Sequence, residues 1–414
     1  GRQRLDNGEC LDPHHPDLTH LPPPLTRRRP LLASEFTLNL ATWLWLFFTL
    51  GAITGSLYAL FAAVLLRRFG QKPHFSPPSS PDLTVLKPLY GAEPGLEANL
   101  SSFCDQAYRG QVQLLFGVHA ATDSAAQVVE RLRHRFPVRE IELVADGSEH
   151  GQNPKISNLL NMLPRARCTL IVMADSDIRV RPDYLNQIVS SLSAPGAGVV
   201  TALYRGFPVA GLWSRLSAAS INEHFLPSVL VGLELGLAKP CFGATIALHT
   251  DTLERIGGLG AFADKLADDY AIGEAVRGLG LKVAIAPMLV GHACSEQSFG
   301  ELLRHDLRWA RTLRLIEPWG YAGLILTHPL PLAIIAAALN GFGAIGWGTI
   351  ALALACRLSI PIQLRTLPHG DHGSLLLSPV RDLLSFAVFL LSFLPGPVSW
   401  RGREYHAGSG GTLS

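Results

Sequence analysis

The run Leu170-Ile-Val-Met-Ala-Asp175-Ser-Asp177 sets five apolar residues directly against two carboxylates separated by one small residue. A continuous apolar run that ends in charge reads as a buried parallel strand whose carboxyl end emerges at the rim of an α/β sheet. Ligands of such sheets bind at that rim. Asp175 and Asp177, two positions apart, can hold one divalent cation, because hard ions such as Mg²⁺ or Mn²⁺ take oxygen ligands and bridge to phosphates. Loops also collect aspartate for turn formation alone. The pair therefore acquires meaning from what else the chain places beside it.

Other residues of chemical interest stand on both sides of it. Asp123, in Ala121-Thr122-Asp123-Ser124, follows a short apolar run and precedes a helical one, a position suited to a helix cap; a rim aspartate can equally accept hydrogen bonds from a uracil. In Asn153-Pro154-Lys155 the proline biases Asn153 away from helix and places Lys155 in the first turn of the next one. A lysine there opposes the helix macrodipole, so it is either solvated at a fraying end or faces an anion together with the backbone N–H groups. Asp268-Asp269-Tyr270 begins or lies early in a helix running to about Arg277. Neighbouring positions on a helix are about 100° apart, so one carboxylate of the two can aim into a given pocket. A buried base beside an acceptor hydroxyl is one use for it; favourable placement in a first turn is another. From Glu301 to Arg314 an amphipathic helix carries His305, Arg308 and Trp309 on one face, with Arg304, Arg308 and Arg311 as a basic stripe. Such a face fits a phosphate and a stacking partner, or anionic headgroups of a membrane.

The elements that must hold these residues follow from composition and patterning. The 414 residues are 48% apolar and 16% charged, a mixture expected of a globular part joined to membrane segments. A net charge of +2 makes no case for a nucleic-acid partner. The six cysteines show no Cys-X-X-Cys spacing and read as reduced thiols of a protein working on the cytosolic side. Residues 1–33, broken by prolines, read as a disordered tail. Phe36 to Leu66 holds no charge over 31 positions, more than the roughly 20 a helix needs to cross a bilayer. A transmembrane helix is expected over 34–68, followed by a linker over 69–81. Arg67, Arg68 and Lys72 favour the cytoplasmic side at that end.

Residues 82–316 alternate short apolar runs with helical stretches, which predicts an α/β domain built on a mostly parallel, doubly wound sheet. Strands are expected at Leu83-Lys87, Gln113-Val118, Ile141-Ala145, Thr169-Ala174, Gly198-Ala202, Gly243-Leu248 and Lys282-Ala286. Membrane segments are expected over 317–400. Trp319 to Cys356 would form two helices turning near Asn340-Gly341, the first distorted by Pro329 and Pro331. Leu383 to Trp400 would span the bilayer or lie in its interface. Residues 401–414 form a tail.

The ordered series Asp123, Asp175-Ser-Asp177, Asp269 and His305-X-X-Arg308-Trp309 resembles the D, DXD, D, (Q/R)XXRW series of membrane-bound GT-A glycosyltransferases. Leu86-Lys-Pro-Leu-Tyr-Gly91, Asn153-Pro-Lys155 and Asp175-Ser-Asp-Ile-Arg-Val-Arg-Pro182 resemble ceramide glucosyltransferases, and most closely the bacterial hopanoid-biosynthesis glycosyltransferases of that family. The resemblance implies a GT-A (Rossmann-like) fold in the bacterial inner membrane, with the catalytic domain in the cytoplasm. It implies a UDP-sugar donor, a divalent metal (Mg or Mn) on Asp175 and Asp177, and a hydrophobic lipid acceptor. Asp123 would contact the uridine, Lys155 and Arg308 the diphosphate, and Asp269 would be the general base. Trp309, His305 and His224 would lie on the acceptor side, although His224 also reads as a satisfied buried histidine. His305 departs from the motif, which has Gln or Arg there. The implied reaction is inverting transfer of a sugar, GlcNAc by closest resemblance, to a hopanoid polyol such as bacteriohopanetetrol. Transfer of glucose to ceramide, processive polysaccharide synthesis and a non-catalytic nucleotide-binding scaffold are the alternatives.

Overall fold

A computed structural model describes residues 31–74, 76–367, 375–395, 398–400 and 403–405. The N-terminal tail expected over 1–33 falls outside these up to residue 30, and so does most of 401–414. Internal contacts divide the chain after Leu44, and all packing described here concerns Trp45 onwards.

Eight strands form one sheet: β1 (Leu83–Pro88), β2 (Val112–Val118), β3 (Glu140–Ala145), β4 (Leu170–Met173), β5 (Ile178–Arg179), β6 (Ala197–Pro208), β7 (Ile246–His249) and β8 (Lys282–Cys294). Their spatial order is β3-β2-β1-β4-β7-β6-β8-β5. The first four pair in parallel. β7 runs antiparallel to both β4 and β6, β8 is parallel to β6, and β5 closes the edge antiparallel to β8. The sheet is thus mixed, and its parallel half carries the rim predicted for Asp175. β6 and β8 continue well past their expected ends at Ala202 and Ala286 because they pair with each other through Pro208 and Cys294, a long-range ladder that local patterning does not reveal.

Both faces of the sheet are covered, as central parallel strands require. Leu83, Val85, Leu114, Phe116 and Val172 pack to one side with the helices Leu96–Cys104, Ser124–Arg135 and Tyr184–Leu192. Leu86, Leu115, Ile171 and Met173 pack to the other with Pro154–Met162 and Asp268–Gly278. The alternation along each strand is what the pleat dictates.

Leu40–Gly70, within a helix that begins at Leu31, and Ala344–Leu364 are long and apolar enough to cross a membrane. Leu50 and Leu57 of the first are 66% and 63% exposed, an apolar face with no protein over it. The two lie side by side, Leu66 and Phe69 clustering with Ile360, Leu364 and Leu367. Between them Pro318–Thr327 and Pro329–Leu339 form a pair bent by 66°, where Pro329 and Pro331 withhold backbone donors. The second expected helix does not stop at Cys356. It continues to Leu364 because Arg357 is neutralised inside the bundle, its Nε donating to Asp382 at 3.0 Å. The last apolar helix ends at Leu391 rather than Trp400 and begins at Leu377. Its 15 residues reach about 22 Å, short of the roughly 30 Å hydrocarbon core, and it buries Arg381 and Asp382 against the other helices. Val398–Trp400 instead pairs with Arg403–Tyr405 as a small antiparallel ribbon.

Candidate active site

At the carboxyl ends of β1, β2 and β4 the chain gathers its charges. β4 ends at Met173, and the Ala174 N–H donates to Leu86 of β1, so Asp175 emerges where the ladder stops. Asn153 is fully buried and caps the helix Pro154–Met162, accepting from the N–H groups of Lys155 and Ile156 at 2.9 and 3.1 Å. That cap aims Lys155 across the rim. Its Nζ lies 2.8 Å from Asp175 and 3.2 Å from Asp268. Two carboxylates of the chain thus stand against Lys155 at the helix start where an anion is expected. Burial alone would lower the Lys155 pKa, but the carboxylates of Asp175, Asp268 and Asp269 override it and raise it. Burial likewise pushes the Asp175 carboxyl up, and Lys155, then Lys87 and His292, carry it below the usual range.

The two helix-start aspartates diverge as helical geometry demands. Asp268 turns to Lys155 and to the Asn153 side chain. Asp269 turns to the loop before β7, where its Oδ2 accepts from the Gly243 N–H and its Oδ1 from the Tyr270 N–H, each at 2.8 Å. Burial, reinforced by the neighbouring Asp268, pushes the Asp269 carboxyl up to about 6, a value suited to accepting a proton near neutral pH.

Gly243 belongs to this site although no motif marks it. Its carbonyl accepts from the Asp175 N–H while its own N–H holds Asp269. A Cβ there would stand 2.6 Å from the Lys155 Nζ and 2.8 Å from the Asp175 Oδ2. Gly243→Ala should therefore separate the ion pair and lower kcat/KM roughly tenfold or more, as misplacement by about 1 Å can cost 10²-fold. Steady-state kinetics with a thermal melt checks this; unchanged kinetics would show that Lys155 and Asp175 need no close approach.

Lys87, a charge inside an apolar strand, is fully buried. It donates to the Asp175 carbonyl at 2.7 Å and lies 3.7 Å above the Phe103 ring. Burial pushes it down to about 7 against the pull of Asp177 and Asp175. The interruption of a hydrophobic strand by lysine was its legible signal.

Asp177 faces the other half of the sheet. Its Oδ2 is 3.3 Å from the His292 Nε2 on β8, and its Oδ1 is buried without a hydrogen-bond partner. An orphaned carboxylate oxygen two residues beyond Asp175 is what a divalent cation would satisfy, so the residues fit such an ion. His292 also stacks on Tyr204 and meets Trp309 edge-on at 6.1 Å. Tyr204, Phe225 and Phe242 complete an aromatic cluster around Trp309. His292 thereby joins the Asp175-Ser-Asp177 turn to the helix Phe299–Ile316, a link between distant segments that spacing alone does not show. On that helix His305 meets Trp309 at 5.3 Å and pairs through Nδ1 with Glu296; Arg308 is half-buried beside them.

Two expected positions have other engagements. Asp123 caps Ser124–Arg135 by accepting from the Ala125 N–H at 2.8 Å, and both its oxygens accept from Gly91 after β1. It stands at the β2 end of the rim. His224 sits in a π-helical turn, Ile221–Phe225, of the kind that recurs at functional sites. Its Nε2 is 2.6 Å from Arg357 Nη2 and 3.5 Å from Asp382, and its ring lies 5.2 Å from His328. Burial and then Arg357 hold its pKa well below the usual value, so it accepts as a neutral ring. The structure joins His224 to the C-terminal helices, whereas its neighbour Phe225 enters the aromatic cluster. The set His224, His328 and Asp382 has metal-ligand composition, but the Arg357 guanidinium already supplies the positive charge there. The five described cysteines are all free thiols.

Residues 47–413 match the model of glycosyl transferase family 21. Ceramide glucosyltransferase 1 of Caenorhabditis elegans is 24% identical over 351 residues, covering 81% of this chain and 74% of that protein. Ceramide glucosyltransferase 3 of the same organism is 26% identical over 355 residues, with the same coverages. A mannosyltransferase from Pyrobaculum calidifontis, solved with GDP-Man and Mn²⁺, superposes with a TM-score of 0.50 at 20% identity, covering 84% of this chain and all of that one.

Proposed function

The chain belongs to glycosyl transferase family 21, and from that membership we propose a membrane-bound inverting enzyme that moves a sugar from a cytosolic UDP-sugar to a lipid hydroxyl. The observation that carries the reading is the Asp269 carboxylate, poised near 6 and held by the Gly243 N–H beside the Lys155–Asp175 pair.

In this mechanism Asp269 takes the proton of the acceptor hydroxyl as its oxygen bonds the anomeric carbon; the bond from that carbon to the diphosphate oxygen breaks, and UDP departs with the electron pair. A divalent cation held by Asp175 and Asp177 would neutralise charge on the diphosphate. Lys155, paired with Asp175, is assigned to the diphosphate together with Arg308, and His292 orients Asp177. Asp123 at the β2 rim is assigned to the uridine side. Trp309 and His305 are assigned to the acceptor side, with His224 behind them as a positioning residue through Phe225. The lipid reaches the site along the bilayer surface, beside the ends of Leu40–Gly70 and Ala344–Leu364.

For the acceptor, the sequence resemblance favours GlcNAc transfer to a hopanoid polyol in a bacterial inner membrane, and the relatives named for ceramide favour glucose transfer to ceramide. Purified full-length protein incubated with UDP-GlcNAc or UDP-glucose and either lipid, with product masses measured, separates them. A monoglycosylated lipid is expected with Mg²⁺ or Mn²⁺ and none after EDTA. Polymer, UDP release without lipid glycosylation, or undiminished turnover in EDTA would each overturn the reading.

A further inference from the structure

On the far side of the edge strands lies a cavity of about 310 Å³, large enough for a small-molecule headgroup. It is lined by Arg179, Arg181 and Arg205 together with His74, and among the described residues none of its lining is acidic. Asp183, just behind, engages Arg181 and His74, each at 3.1 Å. Arg179 is held by neutral groups: its Nε donates to Asn99 at 3.2 Å, and its guanidinium lies 4.5 Å over the Phe207 ring. These contacts set Arg179 and Arg181 against the space that Arg205 also lines, and arginine forks match phosphate oxygens bidentately.

The cavity's depth points to where such a phosphate resides. Its remaining wall includes Phe69 and Gly70, which end the first candidate span, and Leu367, just past the second. The two helix ends touch so closely that a Cβ on Gly70 would overlap the Leu367 side chain. Arg67, Arg68 and Arg365 stand at those ends, and basic residues at the close of an apolar span lie at the headgroup layer. The cavity is also separate from the rim: Gly291 of β8 lines it, whereas the next residue, His292, faces Asp177, and successive strand residues point to opposite faces.

We propose that this cavity seats the phosphate headgroup of an anionic membrane lipid. The shared chemistry is a phosphate on Arg179, Arg181 and Arg205, and the source is the bilayer in which the two spans are placed. Such a lipid would brace β5, which begins at Ile178 directly after Asp177 and pairs there with His292.

The test is lipid retention by the full chain, read by native mass spectrometry from nanodiscs of phosphatidylcholine alone or mixed with phosphatidylglycerol. Phosphatidylglycerol should remain bound and phosphatidylcholine should not. Arg205→Gln should weaken retention roughly tenfold, the loss of one charged hydrogen bond, while Arg205→Lys keeps most of it. Arg179→Gln gives an independent reading should Arg205→Gln unfold. Equal retention of both lipids, or undiminished retention in both Gln variants, overturns the proposal. Displacement of the lipid by millimolar inorganic phosphate would assign the cavity to a free phosphate and overturn it too.

Discussion

Replacing Asp269 with asparagine is expected to lower kcat about 10³-fold, the scale of a lost general base, while the protein still unfolds within about 2 °C of the parent, a span of roughly 1–2 kcal/mol for a chain of this length. The direction follows from the site. The asparagine side chain could still accept from one of the two N–H groups that hold the carboxylate, so the loop before β7 keeps its place, but its amide oxygen is too weakly basic to take a proton. The same carboxyl sets the pH profile. Because its folded value is raised to about 6, kcat/KM of the parent should fall as the pH drops below about 6 and the base becomes protonated. Stability runs the other way. A carboxyl with a raised folded pKa favours the fold fully below its unfolded value, and that contribution is lost as the pH rises through about 6. Melting temperatures measured from about pH 4 to pH 7 should show this loss in the parent and not in Asp269→Asn. Full turnover by the variant would remove Asp269 from the base role.

Lys155→Met should have the larger effect on folding. It strands Asp268, which is buried, and Asp175, whose side chain is 36% exposed, with their common cation gone. Breaking a fully buried pair from one side costs about 3–5 kcal/mol, and solvent screening of Asp175 brings the expected loss to about 2–3 kcal/mol. Lys155 also holds the Asp175 carboxyl below its usual range. A depressed carboxyl contributes stability above its unfolded pKa, and that contribution is lost as the pH falls through the folded value. The variant should therefore lose stability chiefly at neutral pH and approach the parent on acidification, as read by denaturant titration at several pH values. Adding Asp268→Asn to Lys155→Met should recover part of the loss, since one of the two stranded charges disappears; activity should stay low because Asp175 remains unanchored. Equal stability of Lys155→Met and the parent at pH 7 would show that the carboxylates find other partners.

The strand ending in Asp175-Ser-Asp177, the helix start at Asn153-Pro154, the divergence of Asp268 from Asp269 and the first apolar span are local features. Apolar runs, caps and helical periodicity act over a few residues, and the pattern of types is their cause, so a reader of the chain alone could place them. The partners of those residues lie elsewhere in the chain. Nothing near Asp177 names His292, 115 positions away, and nothing near Asp269 names Gly243. Arg357 gives no local hint that Asp382 will neutralise it and let a helix run on. The extension of β6 and β8 is of the same kind, since a strand's length depends on the partner it pairs with. Where a side chain's charge, pKa or exposure depends on a group brought near by the fold, the order of residues leaves several answers open, and the tertiary contacts select among them through burial, Coulomb attraction and hydrogen bonding. The arginine-lined cavity, assembled from two helix ends and three strands, could be recognised only once those elements were packed together.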